Sequence, residues 1–253
     1  MTTLMLALLF ATAPRVTNGS MQTVASLAQA PANGWIGYQI ATPRGFSSCG
    51  CRLVSNNESI NFSSRDADDI GPASSAANLF IRFEGGKADR MRFLSPDCTV
   101  DANGHTIAWI DTVSEQESVA FLRRIVDSGS EHVNQTALLA LSLHPGGTDA
   151  LIDIAHNNPS SHVRGNALFW LSQEAGVKAA AALKDAVNND PEESVRAKAV
   201  FGISQLPNDE SIPMLVDLLK NNRSREVRKK AAFWLGQKND PRALEAIEEI
   251  LRR

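Results

Sequence analysis

The side chains best suited to redox or metal chemistry are three cysteines, Cys49, Cys51 and Cys98. An odd number leaves at least one thiol unpaired within one chain, and in an exported protein either residue of the first pair can bridge to Cys98. We favour Cys51, because the segment it opens runs into alternating apolar residues, but the sequence does not fix the connectivity. A zinc site needs a fourth ligand, for which His105 is the nearby histidine. A disulfide plus a buried thiol, without metal, is the favoured interpretation.

Other reactive residues do not form a catalytic pattern. A nucleophile needs a base within hydrogen-bond reach and an orienting group. The sequence contains no Gly-x-Ser-x-Gly, no His-Glu-x-x-His and no phosphate-binding glycine loop. The five histidines fall at unrelated positions of the repeat described below: His105, His132, His144, His156 and His162. We therefore predict a protein that is not an enzyme and holds no cofactor.

Charge and hydropathy exclude two broad classes of partner. The 253 residues include 25 Lys plus Arg and 28 Asp plus Glu, a formal net charge of −3. This balance lacks the basic field that sequence-independent binding of nucleic acid requires. Beyond the extreme N-terminus, no apolar run approaches the roughly 20 residues of a membrane-spanning helix. We expect no nucleic-acid partner, and no membrane contact beyond a signal sequence.

The first residues resemble an export signal. Residues 1–13 read MTTLMLALLFATA, an apolar stretch of signal-peptide length that ends in small residues. The stretch lacks a basic start, and Pro14 would follow a cut after Ala13. Later cuts after Ala28 or Ala30 are the alternative, and a true start at Met21 would make the protein cytoplasmic. We predict a periplasmic or secreted protein.

The region from 31 to 113 has the period of β-strands. Leu79, Ile81 and Phe83 alternate, and Gly85-Gly86 then turns the chain into a second alternating run, which indicates a hairpin. Asn103-Gly104 predicts another hairpin, between CTVD and HTIAWI. Segments at 35–38 and 51–54 add one strand each, and residues 56–77 are predicted as a long loop. Together these strands predict a small antiparallel β domain at 31–113. A signal peptide or flexible segment is predicted before it at 1–30, and the sequence from residue 20 is typical of a linker.

The C-terminal half repeats itself every 32 residues. The copies share a Val-Arg pair, followed by Ala, then Phe, then Leu or Ile, then Gln at constant spacing. A second stretch in each copy has apolar residues three and four apart, as one stripe of a helix does. The first-helix positions are Val163, Val195 and Val227; Ala167, Ala199 and Ala231; Phe169, Phe201 and Phe233; Leu171, Ile203 and Leu235; Gln173, Gln205 and Gln237. The second-helix positions are Ala180, Ile212 and Leu244; Leu183, Leu215 and Ile247; Val187, Leu219 and Leu251.

Each copy is therefore two amphipathic helices. A weaker copy begins at His132, and Val119, Leu122 and Val126 indicate a lone helix before it. Such pairs bury their apolar faces only by stacking on their neighbours. We predict an α+β protein in which an α-solenoid of about four helix pairs at 114–253 follows the β domain.

The three copies of Val-Arg-x-x-Ala-x-Phe resemble HEAT repeats, in particular the bacterial HEAT-like repeats also found in phycobilisome bilin lyases. The resemblance implies a scaffold whose second helices line a concave face that binds a partner. It also implies that the arginine of each copy bonds the Asp or Asn of the turn before it, six positions earlier. These arginines, Arg164, Arg196 and Arg228, are thus expected to form a structural ladder with Asn158, Asp190 and Asn222.

Two sets of residues outside the core positions are candidates for partner binding. Asp185, Asp217 and Glu249 form an acidic row on the second helices, next to a row that holds Asn188, Lys220 and Arg252. The alternative is that both rows are solvated faces with weak pairs. Trp170 and Trp234 stand at the position where the middle copy has Gly202, which predicts a notch between two aromatic side chains. Alternatively they pack, since the adjacent large residues in FWL and FGI are typical of a buried face.

These observations predict an exported, non-enzymatic and monomeric scaffold for a protein or peptide partner. Two alternatives remain open at this stage. One is a metal- or redox-linked function of the three cysteines. The other is handling of a bilin or another tetrapyrrole, as the resemblance to bilin lyases suggests.

Overall fold

A computed structural model describes residues 13–46, 74–96, 98–174 and 176–252. Within these ranges, seven β-strands precede nine α-helices, which confirms the α+β class and the order of its two parts. None of the helices in the described ranges has the length and apolar character needed to cross a membrane.

The strands form a five-stranded sheet and a separate two-stranded ladder. In the larger sheet the order is β2-β7-β3-β4-β5, and the small ladder joins β1 to β6. The strands are β1 (Val16–Thr17), β2 (Ser20–Thr23), β3 (Gly34–Phe46), β4 (Ser74–Glu84), β5 (Lys87–Leu94), β6 (Val100–Asp101) and β7 (Thr106–Ile110).

The larger sheet is mixed rather than wholly antiparallel. Strands β3, β4 and β5 pair antiparallel, but β7 lies between β2 and β3 and is parallel to both. The Gly85-Gly86 hairpin joins β4 to β5, as predicted, with positive φ at both glycines. The second predicted hairpin is wrong: Asn103-Gly104 does turn the chain with positive φ, but β6 and β7 on its two sides pair with other strands. A two-residue turn signal sets local geometry and does not choose the strand partner.

Two further expectations need correction. The stretch from residue 20 was predicted as a linker, but Ser20–Thr23 forms β2 and pairs with β7, and Met21 packs against the core. The predicted loop at 56–77 is also too long, since β4 begins at Ser74. The remaining residues of that loop and the predicted strand at 51–54 lie outside the described residues.

Both faces of the sheet are buried, which explains the long apolar run in β4. One face carries Trp35, Phe80 and Trp109. The side chains of Val100, in β6, and of Ala102, which follows β6, pack against this cluster. Gly37 makes room there, since a Cβ at this position would lie 2.9 Å from the Trp109 ring and 3.0 Å from the Phe80 ring.

The other face of the sheet packs against the first two helices. The Tyr38 ring meets Phe121 edge-on at 6.3 Å, and its hydroxyl lies 3.2 Å from the hydroxyl of Ser118. Burial raises the pKa of Tyr38 above its usual range. The first helix begins at a capping box, in which Ser114 and Glu117 bond each other's main-chain N–H groups.

The nine helices agree with the predicted lone helix followed by four pairs. Their bounds are α1 (Glu115–Ser128), α2 (Glu131–Leu143), α3 (Gly147–Asn157), α4 (Ser161–Ser172), α5 (Val177–Asn189), α6 (Glu193–Gln205), α7 (Asn208–Asn221), α8 (Arg225–Gly236) and α9 (Pro241–Leu251). The change from strands to helices falls between Ile110 and Glu115, next to the predicted boundary at 113. By contacts the chain divides into two compact units, 1–146 and 147–253, so α1 and α2 belong with the sheet.

Within the second unit, the repeated apolar positions form the core. The Val, Ala and Leu or Ile positions of α4, α6 and α8 are all buried. The second-helix positions are less regular: Leu183 and Leu215 are buried, whereas Leu244 on α9 is 60% exposed. The predicted Ile212 is buried, but the core stripe of the second helices also includes Ala179, Ser211 and Ala243, one residue before the predicted position.

Candidate functional site

The turns between repeats share one pattern of hydrogen bonds. The side-chain oxygen of Asn158, Asp190 or Asn222 accepts the N–H of the residue two positions later, at 2.9–3.0 Å. The arginine six positions after the Asn or Asp, which is Arg164, Arg196 or Arg228, donates to the main-chain carbonyl of that Asn or Asp at 2.7–3.0 Å. It also donates to the next carbonyl along the chain, at 3.0–3.3 Å. The arginines thus tie each turn to the helix that follows it.

The first arginine makes an additional pair. Nε and Nη2 of Arg164 donate to the two carboxylate oxygens of Asp190 at 2.8 and 3.0 Å, and the side chains are only 8% and 5% exposed. Burial alone would raise the pKa of Asp190, but the hydrogen bond from Arg164 and that from the Glu192 N–H lower it below its usual range. The same hydrogen bond raises the pKa of Arg164. Sequence reasoning missed this link to the following turn, for which the one signal was an Asp where the other turns have Asn.

The predicted acidic row is half exposed on three successive second helices. The side chains of Asp185, Asp217 and Glu249 are 48%, 50% and 53% exposed. Within its own helix, Asp185 accepts a bond from Asn189 at 2.7 Å, and Asp217 accepts one from Asn221 at 2.8 Å. The same Asp-x-x-x-Asn pairing recurs on α3, where Asn157 donates to Asp153 at 2.7 Å, and its spacing is a sequence signal that the prediction missed.

A histidine and two lysines of the preceding repeats contact the same row. His156 Nε2 lies 3.3 Å from Asp185, Lys184 Nζ 3.8 Å from Asp217, and Lys220 Nζ 3.3 Å from Glu249. Such solvent-exposed pairs each contribute about 0–1 kcal/mol. The structure therefore brings Lys220 to the acidic row, whereas Arg252 bonds Glu248 on its own helix at 3.0 Å.

The aromatic candidates differ from the prediction. Gly202 is buried, and a Cβ there would lie 2.5 Å from Cδ2 of Leu183, so this side chain fills the predicted notch. Trp170 and Trp234 are half buried. The expectation that FWL belongs to a buried face is wrong for the phenylalanines, because Phe169 is 40% exposed and Phe233 is 55% exposed.

Comparison with known proteins gives the architecture a family. Residues 180–253 match the family described as HEAT repeats. The C-terminal part of this chain contains HEAT repeats. We call the second compact unit, 147–253, the HEAT-repeat domain. Among solved structures, the chain is similar to one in the complex of CpcE and CpcF of phycocyanin lyase from Nostoc sp. PCC7120, with 18% identity and a TM-score of 0.41, covering 54% of this chain and 89% of that one. No curated protein matches the sequence.

A polar cavity of about 440 Å³ opens beside the inter-repeat turns of the HEAT-repeat domain. Its walls carry amide and guanidinium groups on two successive turns. They include Asn188, Asn189, Asn221, Asn222, Arg196 and Arg223. Asn222 of the ladder donates to Asn188 across the repeats at 3.0 Å. The cavity also adjoins the acidic row, because Asn189 and Asn221 donate to Asp185 and Asp217.

The cysteine site is only partly within the described residues. Cys98 is 2% exposed and disulfide-bonded. Cys49 and Cys51 lie outside the described residues, so the choice between them as partner stays a prediction. In the part of the chain that the structure describes, no three His, Cys, Asp or Glu side chains form a group that could hold a metal ion.

Proposed function

We propose that this protein is an exported, non-enzymatic scaffold that binds a protein or peptide partner through its HEAT-repeat domain. HEAT repeats are units that commonly mediate protein binding, since stacking gives them extended surfaces. The observation that supports the proposal most is the acidic row, which places a half-exposed carboxylate at the same position of three successive repeats.

The contacts of this row suit an exchangeable interface. Lys184 and Lys220 lie on helices of the same domain and pair with the row through solvent-exposed contacts. Because such pairs are worth at most about 1 kcal/mol, basic side chains of a partner can replace them at small cost. The proposed partner segment therefore presents Lys or Arg side chains along the row.

The test removes the carboxylates without changing their shape. The variant Asp185→Asn, Asp217→Asn, Glu249→Gln is compared with wild type by cross-linking in the native source, and partners are quantified by mass spectrometry. We expect the recovered partner to fall at least about tenfold, equivalent to about 1.4 kcal/mol.

A matched control separates binding from folding. Lys184→Gln, Lys220→Gln breaks two of the three inter-repeat pairs but keeps the carboxylates, so partner recovery should stay at the wild-type level or rise. Equal recovery with wild type and the carboxylate variant, both folded by circular dichroism, would exclude this row as the binding surface.

Export is the second part of the proposal. The disulfide at Cys98 is typical of an oxidising compartment. A cut after Ala13 keeps both β1 and β2, whereas a cut after Ala28 or Ala30 would remove them, which leaves β7 as an edge strand beside β3 and takes away the strand that pairs with β6. We therefore expect a mature chain that begins at Pro14. Sequencing the N-terminus of protein from the cell-envelope and medium fractions tests this, and an uncut chain confined to the cytosol would contradict it.

The alternatives for the cysteines and for tetrapyrroles stay predictions. Thiol counting under denaturation, together with zinc analysis, tests the first, and two oxidised cysteines without metal leave only a structural role. An absorbance spectrum of protein purified from its native source tests the second. Sedimentation of the same sample tests the predicted monomer.

A further inference from the structure

The first helices of the HEAT-repeat domain carry an exposed aromatic row. Phe169, Phe201 and Phe233 stand at equivalent positions of α4, α6 and α8, and the outer two are 40% and 55% exposed. Their rings lie 4.9–5.1 Å from tryptophan rings, in the pairs Phe169–Trp170, Phe201–Trp234 and Phe233–Trp234. Large apolar side chains exposed at a constant interval are a mark of an interaction surface.

We propose that this aromatic row binds a proline-rich, acidic segment of the partner protein in the polyproline II conformation. The inference rests on the proposed scaffold function and assigns it a second surface, on the first helices rather than the second. The polyproline II helix needs no internal hydrogen bonds and is a common ligand of aromatic-lined grooves.

The spacing of the row favours this conformation over a strand. The helices α4, α6 and α8 pack one after another: Lys198 donates to Asn166 at 3.2 Å, and Phe201 contacts Trp234. Packed helices lie about 8–10 Å apart, which sets the distance between successive phenylalanines. A polyproline II helix advances about 9.3 Å per turn of three residues, whereas side chains on one face of a strand repeat every 6.7 Å or so.

Hydrogen-bond donors beside the row favour an extended chain over an α-helix. Gln173, Gln205 and Gln237 follow the phenylalanines by four residues, so they lie next to them on the helix surface, and all three are exposed. The amides of Gln173 and Gln205 each donate one bond to a neighbouring serine, which leaves a second N–H on each. The carbonyls of a polyproline II segment are free to accept such bonds, while those inside an α-helix are already used.

Charge beside the row favours an acidic partner. Lys198 and Lys230 precede Phe201 and Phe233 by three residues and lie on the same side of the helices. Glu226, a carboxylate on this face, is paired with Lys229 at 2.8 Å. The face therefore keeps a positive balance, which attracts acidic side chains at every third position of the segment.

The test uses synthetic peptides and the full chain. Fluorescence anisotropy measures the affinity for a labelled peptide of about four Glu-Pro-Pro repeats, which spans more than three turns. We expect Phe169→Ser, Phe201→Ser, Phe233→Ser to weaken binding at least about tenfold. Phe169 and Phe233 are exposed and Phe201 is half buried, so we expect the variant to fold, and circular dichroism checks this.

Two control peptides and one control variant sharpen the result. A Glu-Gly-Gly peptide keeps the charge without the conformation, and a Lys-Pro-Pro peptide keeps the conformation with the opposite charge, so both should bind more weakly. Equal binding of either control peptide, or no binding of the Glu-Pro-Pro peptide, overturns the proposal. The variant Asp185→Asn, Asp217→Asn, Glu249→Gln should bind the peptide as wild type does. If this variant loses the native partner, and neither it nor wild type binds the Glu-Pro-Pro peptide, the scaffold function stands and the aromatic row is excluded as a polyproline II site.

A second copy of this chain is the remaining candidate for covering the aromatic row. Sedimentation is measured on wild type and on the phenylalanine variant at the same concentration. We expect both to sediment alike. A wild-type dimer that the variant dissociates would show that a second copy covers the row, and this result would overturn the proposal.

Discussion

The sheet and the HEAT repeats of this protein differ in how far apart in sequence their contacting core residues lie. In the sheet, β2 pairs with β7 more than 80 residues later, and Phe80 packs on Trp109. In the repeats, a buried side chain contacts its own helix pair and the adjacent pair, as Leu183 of α5 does where it packs at Gly202 of α6. Loss of one contact should therefore spread through the whole sheet but stay local in the repeats.

The largest effect is expected from the sheet core. Phe80→Ala removes a fully buried ring that lies 6.0 Å from the Trp109 ring, so we expect the free energy of unfolding to fall by about 3–5 kcal/mol. Denaturant unfolding combined with amide hydrogen exchange measures it, and protection should fall in all strands of the sheet together. The exposed Lys87→Ala should change stability by less than about 0.5 kcal/mol. Exchange that rises in β4 alone would contradict the proposed difference between the two regions.

The buried ion pair provides the strongest local effect in the repeats. Arg164→Met leaves the carboxylate of Asp190 buried without its partner, and we expect a loss of about 3 kcal/mol. Arg228→Met is the matched control at the equivalent position; there the arginine donates to two main-chain carbonyls, and we expect a loss of about 1 kcal/mol. Hydrogen exchange should rise near α4 and α6 while the sheet stays protected. Equal losses in the two variants would show that the Asp190 pair adds nothing.

A smaller local effect is expected from a single methyl group. Gly202→Ala places a Cβ 2.5 Å from Leu183, which must move, and we expect a loss of about 2 kcal/mol from overpacking. At Gly236, no described atom lies within 4 Å of such a Cβ. Gly236→Ala should therefore be neutral or stabilise the helix by up to about 1 kcal/mol. Thermal unfolding of the two variants compares them directly, and a destabilised Gly236→Ala would argue against the packing explanation.

The smallest effect is a dependence on acid that is confined to the repeats. The pKa of Asp190 is lowered in the folded protein, so its pair stabilises the fold above its unfolded pKa, about 3.9, and this stability is lost as the pH falls through the folded pKa. We expect the difference in unfolding free energy between wild type and Asp190→Asn to be constant above about pH 5 and to shrink below about pH 4. Denaturant titrations at several pH values measure it. A difference that grows in acid would contradict the lowered pKa.

Sequence periodicity predicted the repeats well, because their contacts are local. The buried Val163, Ala167 and Leu171 follow from spacings of four residues, and the 32-residue copies set the helix order. The same periodicity failed for Phe169 and Phe233. A position that is apolar in every copy is equally compatible with a shared core and with a shared surface, and only the packing distinguishes them.

The sheet was predicted less well, because strand order depends on distant partners. Asn103-Gly104 forms the expected turn, but the position of β7 between β2 and β3 depends on residues more than 60 positions away from β7. The Arg164–Asp190 pair was also missed, since sequence comparison aligned each arginine with the turn before it and not with the one after it. When a side chain bonds two turns at once, the alignment of equivalent repeat positions reveals only the turn that is near it in sequence.

The close contact of Gly202 with Leu183 has a consequence for the order of the repeats. Trp170 and Trp234 occupy the same position in the neighbouring copies, and a side chain of that size cannot fit where the Leu183 methyl group lies. Placing a copy with tryptophan at this position after Leu183 would therefore require the leucine side chain to move. The three copies are alike in sequence but not interchangeable as building blocks, so lengthening this array by duplication requires compensating substitutions at the new junction.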